Sequence, residues 1–460
     1  MTSSQIYARV AVLDIGKTNA KVVVLDSATG AEVAVVKTPN VVVKSGLYPH
    51  YDVEALWAFA LDALKQFAVS PGFDAISITT HGASAALLAA DGTLAMPVLD
   101  YEQEYPREII DAYTALRPSF DETYSPRQSM GLNIGAQLHY QQSAFPAAFA
   151  NVATIVTYAQ YWAARLTGIA ANEVTSLGCH TDLWNPRESS YSSLVDTLDI
   201  RPLMAPIRSA FDALGPVLPE ISEEIGLSKP VPVYCGIHDS NASLLPHLVS
   251  RQAPFAVVST GTWVVNFGVG GDLDHLDPKR DTLANVDAYG RAVPSSRFMG
   301  GREFEILSAK IGPVSIEEAV AAMPDVIEKS MMLLPNVAPG SGPFQGKERR
   351  WVNAEAASAG EHYAAVCLYL ALMTEACLGL IGAGGPVVVE GPFSLNETYL
   401  DVVAALTGRD VFAVPGSTGT SAGAALLTGI APMTGTEKHF PPREIFHLPE
   451  YRRCWYAALA

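Results

Sequence analysis

The sequence predicts an α/β protein of two lobes, each a mixed β-sheet flanked by helices. Three observations carry that prediction. The chain has 460 residues, more than one hydrophobic core supports, and 49% of them are hydrophobic, enough to fill two. Short β-branched runs alternate with stretches whose apolar residues recur at helical spacing. A strand, a turn rich in Gly and Thr, and a second strand occur near the start, and the same arrangement returns about 245 residues later. Hairpins of this kind make each sheet at least partly antiparallel.

The first hairpin centres on "LDIGKTNAK" (Leu13 to Lys21). Its Gly-Lys-Thr resembles the end of a P-loop, but a P-loop needs a glycine five residues before Gly16, and that position is Ala11. The residues that follow, "KVVVLD", "SATG" and "AEVAVVKT", read as strand, turn and strand, so no helix dipole opens at Thr18. A tight turn can still bind phosphate. Gly16 permits close backbone approach, Thr18 and Asn19 add side-chain donors, and Lys17 and Lys21 add cations. Asp14 ends a buried apolar strand with no obvious local partner. It either caps the turn or meets a magnesium ion.

The next elements follow in order. Val53 to Val69 has helical periodicity, and "AISITTHG" after it reads as a strand ending near His81. "VPVYCGIHDSNASLL" is a buried strand leading to a helix that starts near Asp239 or Ser240. Read locally, Asp239 is a helix N-cap. The second hairpin runs from Phe255 through Ser259-Thr260-Gly261-Thr262 into Trp263 to Phe267. "EHYAAVCLYLALMTEACLGLIGAGGPVVVE" is a long helix, a Gly-Gly turn and a buried strand. The boundary between lobes is expected near residue 246, giving 1–245 and 246–460.

Composition narrows the function. The net charge is −17 and no basic cluster is dense enough to track a phosphate backbone, which argues against nucleic acid. The five cysteines (Cys179, Cys235, Cys367, Cys377, Cys454) are scattered without CxxC spacing and read as reduced and structural. "MTSSQIYARV" lacks the pattern of a signal peptide. No run approaches 18 uninterrupted apolar residues; "IVTYAQYWAARLTGIAA" carries Gln160 and Arg165 and reads as a packed helix. A cytoplasmic protein with no membrane partner is the expectation.

Taken together, these segments resemble the FGGY family of carbohydrate kinases, of the actin/sugar-kinase/heat-shock ATPase superfamily. "DIGKTNAK" is similar to the family's Asp-x-Gly-Thr-Ser-x-x-Lys/Arg, matching Asp14, Gly16, Thr18 and Lys21. "GIHDSNAS" resembles its Gly-x-x-Asp-x-x-Ala, whose aspartate is the catalytic base, which places that role on Asp239. "STGTW" resembles the second phosphate hairpin, with Thr260, Gly261 and Thr262. "EGPFSLNETYLDVVAALTGRDVFAVPGSTGTSAGAALLTG" resembles the adenosine-binding stretch, with Gly391, Asn396 and a helix opening at Gly423. "RLTG" at Arg165 is a further hallmark. The sequence departs from the pattern where Lys17 replaces the usual Thr, where Gly391-Pro392 replaces Gly-Gly, and where "LDYEQEY" (Leu99 to Tyr105) replaces Trp-x-Asp-x-Arg.

The resemblance implies two actin-like (ribonuclease H-like) lobes with an ATP and sugar cleft between them. The N-terminal lobe would hold sugar and phosphate, and the C-terminal lobe ATP. It implies a ketose kinase using ATP and Mg2+, with Asp14 and Asp239 near the metal through water. His81, Tyr101, Glu102, Glu104 and Asp239 would face the sugar, a pentulose or 6-deoxyhexulose such as L-rhamnulose, L-fuculose or xylulose. A homodimer is left open. The alternative is a catalytically silent, sugar-sensing member of the same fold.

Overall fold

The computed structural model describes residues 7–415, 419–432 and 436–459. Contacts divide the chain into two compact units. The first comprises 1–250 together with 284–292 and 418–433; the second comprises 251–283, 293–417 and 434–460. Two segments from beyond the expected boundary therefore return to the first unit.

In the first unit, β1 (Arg9–Ile15), β2 (Asn19–Asp26) and β3 (Glu32–Pro39) form the antiparallel meander expected from the opening segment. Helix α1 (Val53–Val69) follows, capped by the Asp52 carboxylate accepting from Ala55 N–H, and leads to β4 (Ala75–Thr80). β5 (Ala213–Pro216), β6 (Pro232–Tyr234) and the short β7 (Ile237–His238) complete a seven-stranded sheet. Its order is β5-β6-β4-β1-β2-β3, with β7 also on β4. Helix α2 (Tyr158–Thr167) ends on Gly168 in the left-handed region, so the "RLTG" segment is a helix end with its cap. Helix α3 (Asp239–Ser250) leaves β7 directly.

The period of two along β1 sorts its residues between two faces. Ala11, Leu13 and Ile15 pack in one core with α1 and α2, whereas Val10 and Val12 pack in another with Ala242, Leu245 and the helix Gly419–Leu426. Asp14 follows the even positions. It ends on the face covered by the Gly419–Leu426 helix, and this decides its partners.

The second unit repeats the hairpin theme. β8 (Phe255–Thr260) and β9 (Val264–Val269) pair antiparallel, β10 (Ala292–Phe298) lies beyond β9, and β11 (Val387–Glu390), β12 (Val411–Val414) and β13 (Lys438–Phe440) continue from β8. Helix α4 (Ala359–Leu380) and helix α5 (Glu397–Thr407) cover this sheet. Among the described residues α4 alone is long and apolar enough to cross a membrane, a feature the sequence reading passes over. Yet 72% of its most apolar window is buried inside the fold, so its composition is that of a central core helix. Each leucine buried there is worth roughly 1.5–3 kcal/mol relative to exposure.

Candidate functional site

Three parallel strands, β1, β4 and β7, end side by side: Asp14 and Ile15 pair with Thr79 and Thr80, which pair with Ile237 and His238. The residues immediately past or at these ends are the hairpin turn, His81 and Asp239. The carboxyl ends of adjacent parallel strands are where open α/β sheets place ligands. His81 N–H donates to the Ile15 carbonyl at 2.9 Å, tying two of the ends together.

The first turn is built by short-range geometry and one distant side chain. Gly16 N–H donates to the Asn19 carbonyl at 2.9 Å, and a Cβ on Gly16 would stand 3.1 Å from that oxygen. Asn40 closes the outside: its amide donates to the Gly16 carbonyl and its backbone N–H to the Thr18 carbonyl, both at 2.9 Å. Thr18 and Asn19 are exposed at the tip. Asp14 has the partners the sequence does not show. Lys21 stands opposite it in the antiparallel register and brings its ammonium to 3.4 Å from Oδ2. Thr420 and Ser421 donate hydroxyl hydrogen bonds to the same oxygen, Ser421 at 2.7 Å. These contacts converge on Oδ2. Among the described residues no group of three or more His, Cys, Asp or Glu is placed to hold a metal by protein ligands alone.

The structure corrects the reading of Gly423. The helix begins at Gly419, not at Gly423, and Gly423 lies inside it where a Cβ would sit 1.8 Å from the Ala242 carbonyl oxygen of α3. It is a helix crossing point in the first unit. Residues 416–418 of the same predicted stretch lie outside the described residues.

Asp239 is the first residue of α3, where the helix dipole favours a carboxylate. The strand can deliver it because Gly236 takes φ +91° beside Ile78, where a Cβ would stand 3.0 Å from the Ile78 carbonyl oxygen. Asp239 Oδ1 accepts from Ser240 N–H at 2.6 Å and stands 3.1 Å from His238 Nε2. Burial pushes its pKa up, but the His238 hydrogen bond and charge outweigh that and leave it below the usual carboxylate value. His238 is itself buried. Gly82 lies against its ring, and a Cβ there would stand 2.6 Å from Nε2. Burial lowers the His238 pKa, but Cys179 and Asp239 reverse this and hold it well above the usual value. Behind it, His238 N–H donates to Thr175 Oγ1 at 3.1 Å, which donates to Glu173 at 2.5 Å; burial raises Glu173 to about 7.

His81 stands among the rings of Tyr158 (5.0 Å), Tyr51 (5.1 Å) and Tyr101 (5.6 Å). Burial lowers its pKa to about 4, so the ring is neutral at pH 7. Nδ1 is 2.8 Å from the Gly82 carbonyl, an acceptor only, and so carries the hydrogen. Nε2 is therefore a bare acceptor, and it is buried with no hydrogen-bond partner among the described residues.

Lys17 departs from the expected place. Its ammonium pairs with Asp100, lies 3.6 Å from Glu102, and sits over the rings of Tyr101 (4.8 Å) and Tyr51 (5.0 Å). Asp100 also accepts from Tyr51 Oη at 3.2 Å and Glu102 N–H at 3.2 Å. Burial raises Tyr101, which stays protonated. Glu102 and Glu104 are exposed.

The remaining candidates belong to the second unit. Thr260, Gly261 and Thr262 form the β8–β9 turn, where Gly261 N–H donates to the Trp263 carbonyl at 2.9 Å. Thr260 Oγ1 donates to the Glu390 carbonyl at 2.5 Å and accepts from Phe393 N–H at 3.0 Å. Gly391, at φ +79°, packs where a Cβ would lie 1.9 Å from the Thr260 carbonyl. Gly301 packs likewise: a Cβ there would lie 1.8 Å from the Gly261 carbonyl oxygen. Asn396 is occupied locally: its side chain caps α5 by accepting from Tyr399 N–H at 3.1 Å and faces Cys367.

Sequence reading misses Asn40, Asp100, Thr420, Ser421 and His238. Asp100 sits inside the stretch that was singled out, but its partner Lys17 is 83 residues away. Thr420 and Ser421 stand in a hydroxyl-rich run whose target strand is some 400 residues earlier.

Residues 9–246 match the sequence profile described as the FGGY family of carbohydrate kinases, N-terminal domain, and residues 252–437 match the carbohydrate kinase FGGY C-terminal domain. A solved carbohydrate kinase from Novosphingobium aromaticivorans is similar at 36% identity and a TM-score of 0.89, covering 98% of this chain and 100% of that one. A xylulose kinase from Rhodospirillum rubrum shares the fold at 18% identity and a TM-score of 0.80, covering 98% of each chain. Among curated proteins, an L-fuculokinase of Salmonella typhi is 25% identical over 278 residues. That match spans 57% of each chain, so it covers little more than half the length of the curated relative.

Proposed function

The chain belongs to the FGGY family of carbohydrate kinases, and from that premise we propose that it transfers the γ-phosphate of ATP to a hydroxyl of a ketose, a pentulose or 6-deoxyhexulose, in the cytoplasm. The observation that carries the reading is Asp239: a carboxylate at a helix N-terminus, kept ionised by His238, just past a strand end that pairs with the one leading to His81.

In this reading Asp239 accepts the proton of the attacked hydroxyl. His81 Nε2 accepts a hydrogen bond from a second hydroxyl, which relieves the unsatisfied buried nitrogen and orients the sugar. Each Gly/Thr turn would meet phosphate oxygens with its exposed polar side chains, Thr18 and Asn19 in the first and Thr262 in the second, while Gly16 and Gly261, whose N–H groups close the turns, permit close backbone approach. ATP with Mg2+ supplies the transferable phosphoryl group and charge neutralisation when bound. Asp14, whose protein contacts gather on Oδ2, and Asp239 would hold that ion through water. The first lobe, 1–245, would serve the sugar and phosphate, and the second, 246–460, ATP. A silent, sugar-sensing role has no feature in its favour, since Asp14, Asp239 and both turns are intact.

The test is ADP release across a panel of ketoses, aldoses and polyols, with Asp239→Ala as the control. One class of neutral sugar is expected to stimulate release, and Asp239→Ala to reduce it by about 10²–10⁴-fold. Silence across the panel, or a fully active Asp239→Ala, would overturn the assignment.

A further inference from the structure

We propose that Lys17, although it lies at the tip of the phosphate hairpin, is a specificity-determining residue of the sugar site, acting with Asp100 as a charge pair that reads hydroxyls of a neutral sugar. The inference rests on the kinase reading above and deepens it.

Three observations point the same way. First, the side chain turns inward from the hairpin: it is 17% exposed and ends on Asp100, which is 8% exposed. Drawing the ammonium away to a phosphate would leave the Asp100 carboxylate buried without its cation, which is a costly state. Second, the ammonium sits over Tyr51 and Tyr101, the same two rings that flank His81. Both rings attract a cation on their faces, so they hold Lys17 beside the imidazole. Third, the partners of Lys17 come from the Leu99–Tyr105 loop, which is also the source of Tyr101.

The arrangement has a chemical preference. The Lys17 ammonium has three hydrogens, and Asp100 does not exhaust them; the carboxylates of Asp100 and Glu102 have spare lone pairs. A pair of neighbouring hydroxyls can therefore donate to one group and accept from another. With Glu102 at 3.6 Å, the cluster of Lys17, Asp100 and Glu102 carries more negative than positive charge. A sugar acid would meet repulsion, so the substrate class is an uncharged sugar. Tyrosine rings beneath the pair suit the C–H face of such a molecule.

Steady-state kinetics on Lys17→Met, Asp100→Asn and the double variant separate the possibilities, using the sugar that best stimulates ADP release in the wild type. Each single change is expected to raise KM for the sugar by about tenfold or more while KM for ATP stays within about twofold. The double variant should be no worse than roughly the poorer single, since both remove one pair. Sugar binding without nucleotide, followed by calorimetry, should weaken in parallel, and the sugar acid of the same chain length should not stimulate release. Thermal melts check folding, and Lys17→Arg, which keeps the cation but changes its shape, gives a second arm with the same expected split. A rise in KM for ATP with sugar KM unchanged would make Lys17 a phosphate ligand and overturn the proposal. Unchanged values for both would make the pair structural and overturn it equally. If no sugar binds or stimulates ADP release in the wild type, the kinase reading itself falls, and this inference with it.

Discussion

The two Gly/Thr hairpins have the same plan and different construction. In the β1–β2 turn, charged and amide side chains do the holding: Asp14 against Lys21, Thr420 and Ser421, and Asn40 across the outside. In the β8–β9 turn, shape does it: Gly301 and Gly391 press on the carbonyls of Gly261 and Thr260, and Thr260 Oγ1 bridges to the neighbouring strand. The lesson is that one local motif can be fixed by electrostatics in one place and by excluded volume in another. The first leaves ionisable groups beside the turn, where chemistry can use them. The second leaves a neutral turn whose backbone is set.

The contrast can be broken from either side. Gly391→Ala should have the largest effect, about 3 kcal/mol of lost stability in chemical denaturation, because the new Cβ meets a backbone oxygen at a positive φ. Asp14→Asn, which keeps shape and removes charge, should leave the fold but raise the Mg2+ concentration for half-maximal ADP release about tenfold. His238→Asn tests the charge that keeps Asp239 ionised. The hydrogen bond and charge of His238 lower the Asp239 pKa, so their removal lets it rise. The acid limb of the kcat/KM profile should then move to higher pH, with little change on the alkaline side. The smallest effect is expected from Gly16→Ala, below about 1 kcal/mol, because its Cβ would meet only one oxygen at 3.1 Å, which a slight shift relieves. Equal costs at Gly16 and Gly391 would erase the distinction drawn between the hairpins.

Much of the fold is legible in the chain because its signals are local. Val53–Val69 is read as a helix and found as one with the same bounds, since its apolar spacing and the Asp52 cap both lie within a few residues. The β1–β2–β3 meander follows from β-branched runs broken by "SATG". Asp239 is legible as a helix start, but not the histidine that holds it: His238 reads as one more strand residue until Gly82 and Cys179 are packed around it. Lys17 and the Leu99–Tyr105 stretch are visible as separate departures from the family pattern. Only folding makes them one feature, because a lysine's direction from a turn tip depends on which carboxylate the fold brings within reach.

The sequence by itself determines the strand and helix order, both Gly/Thr turns, and the carboxylates that carry the proposed chemistry, because these rest on periodicity, turn propensity and residue type over short spans. The tertiary structure alone decides which groups meet. The return of Gly419–Leu426 to the first unit gives Asp14 its hydroxyl partners, the parallel ends of β1, β4 and β7 align the hairpin with His81 and Asp239, and the loop at Asp100 turns Lys17 away from the hairpin tip. Those encounters join residues tens to hundreds of positions apart, and the spacing along a chain carries no information about them.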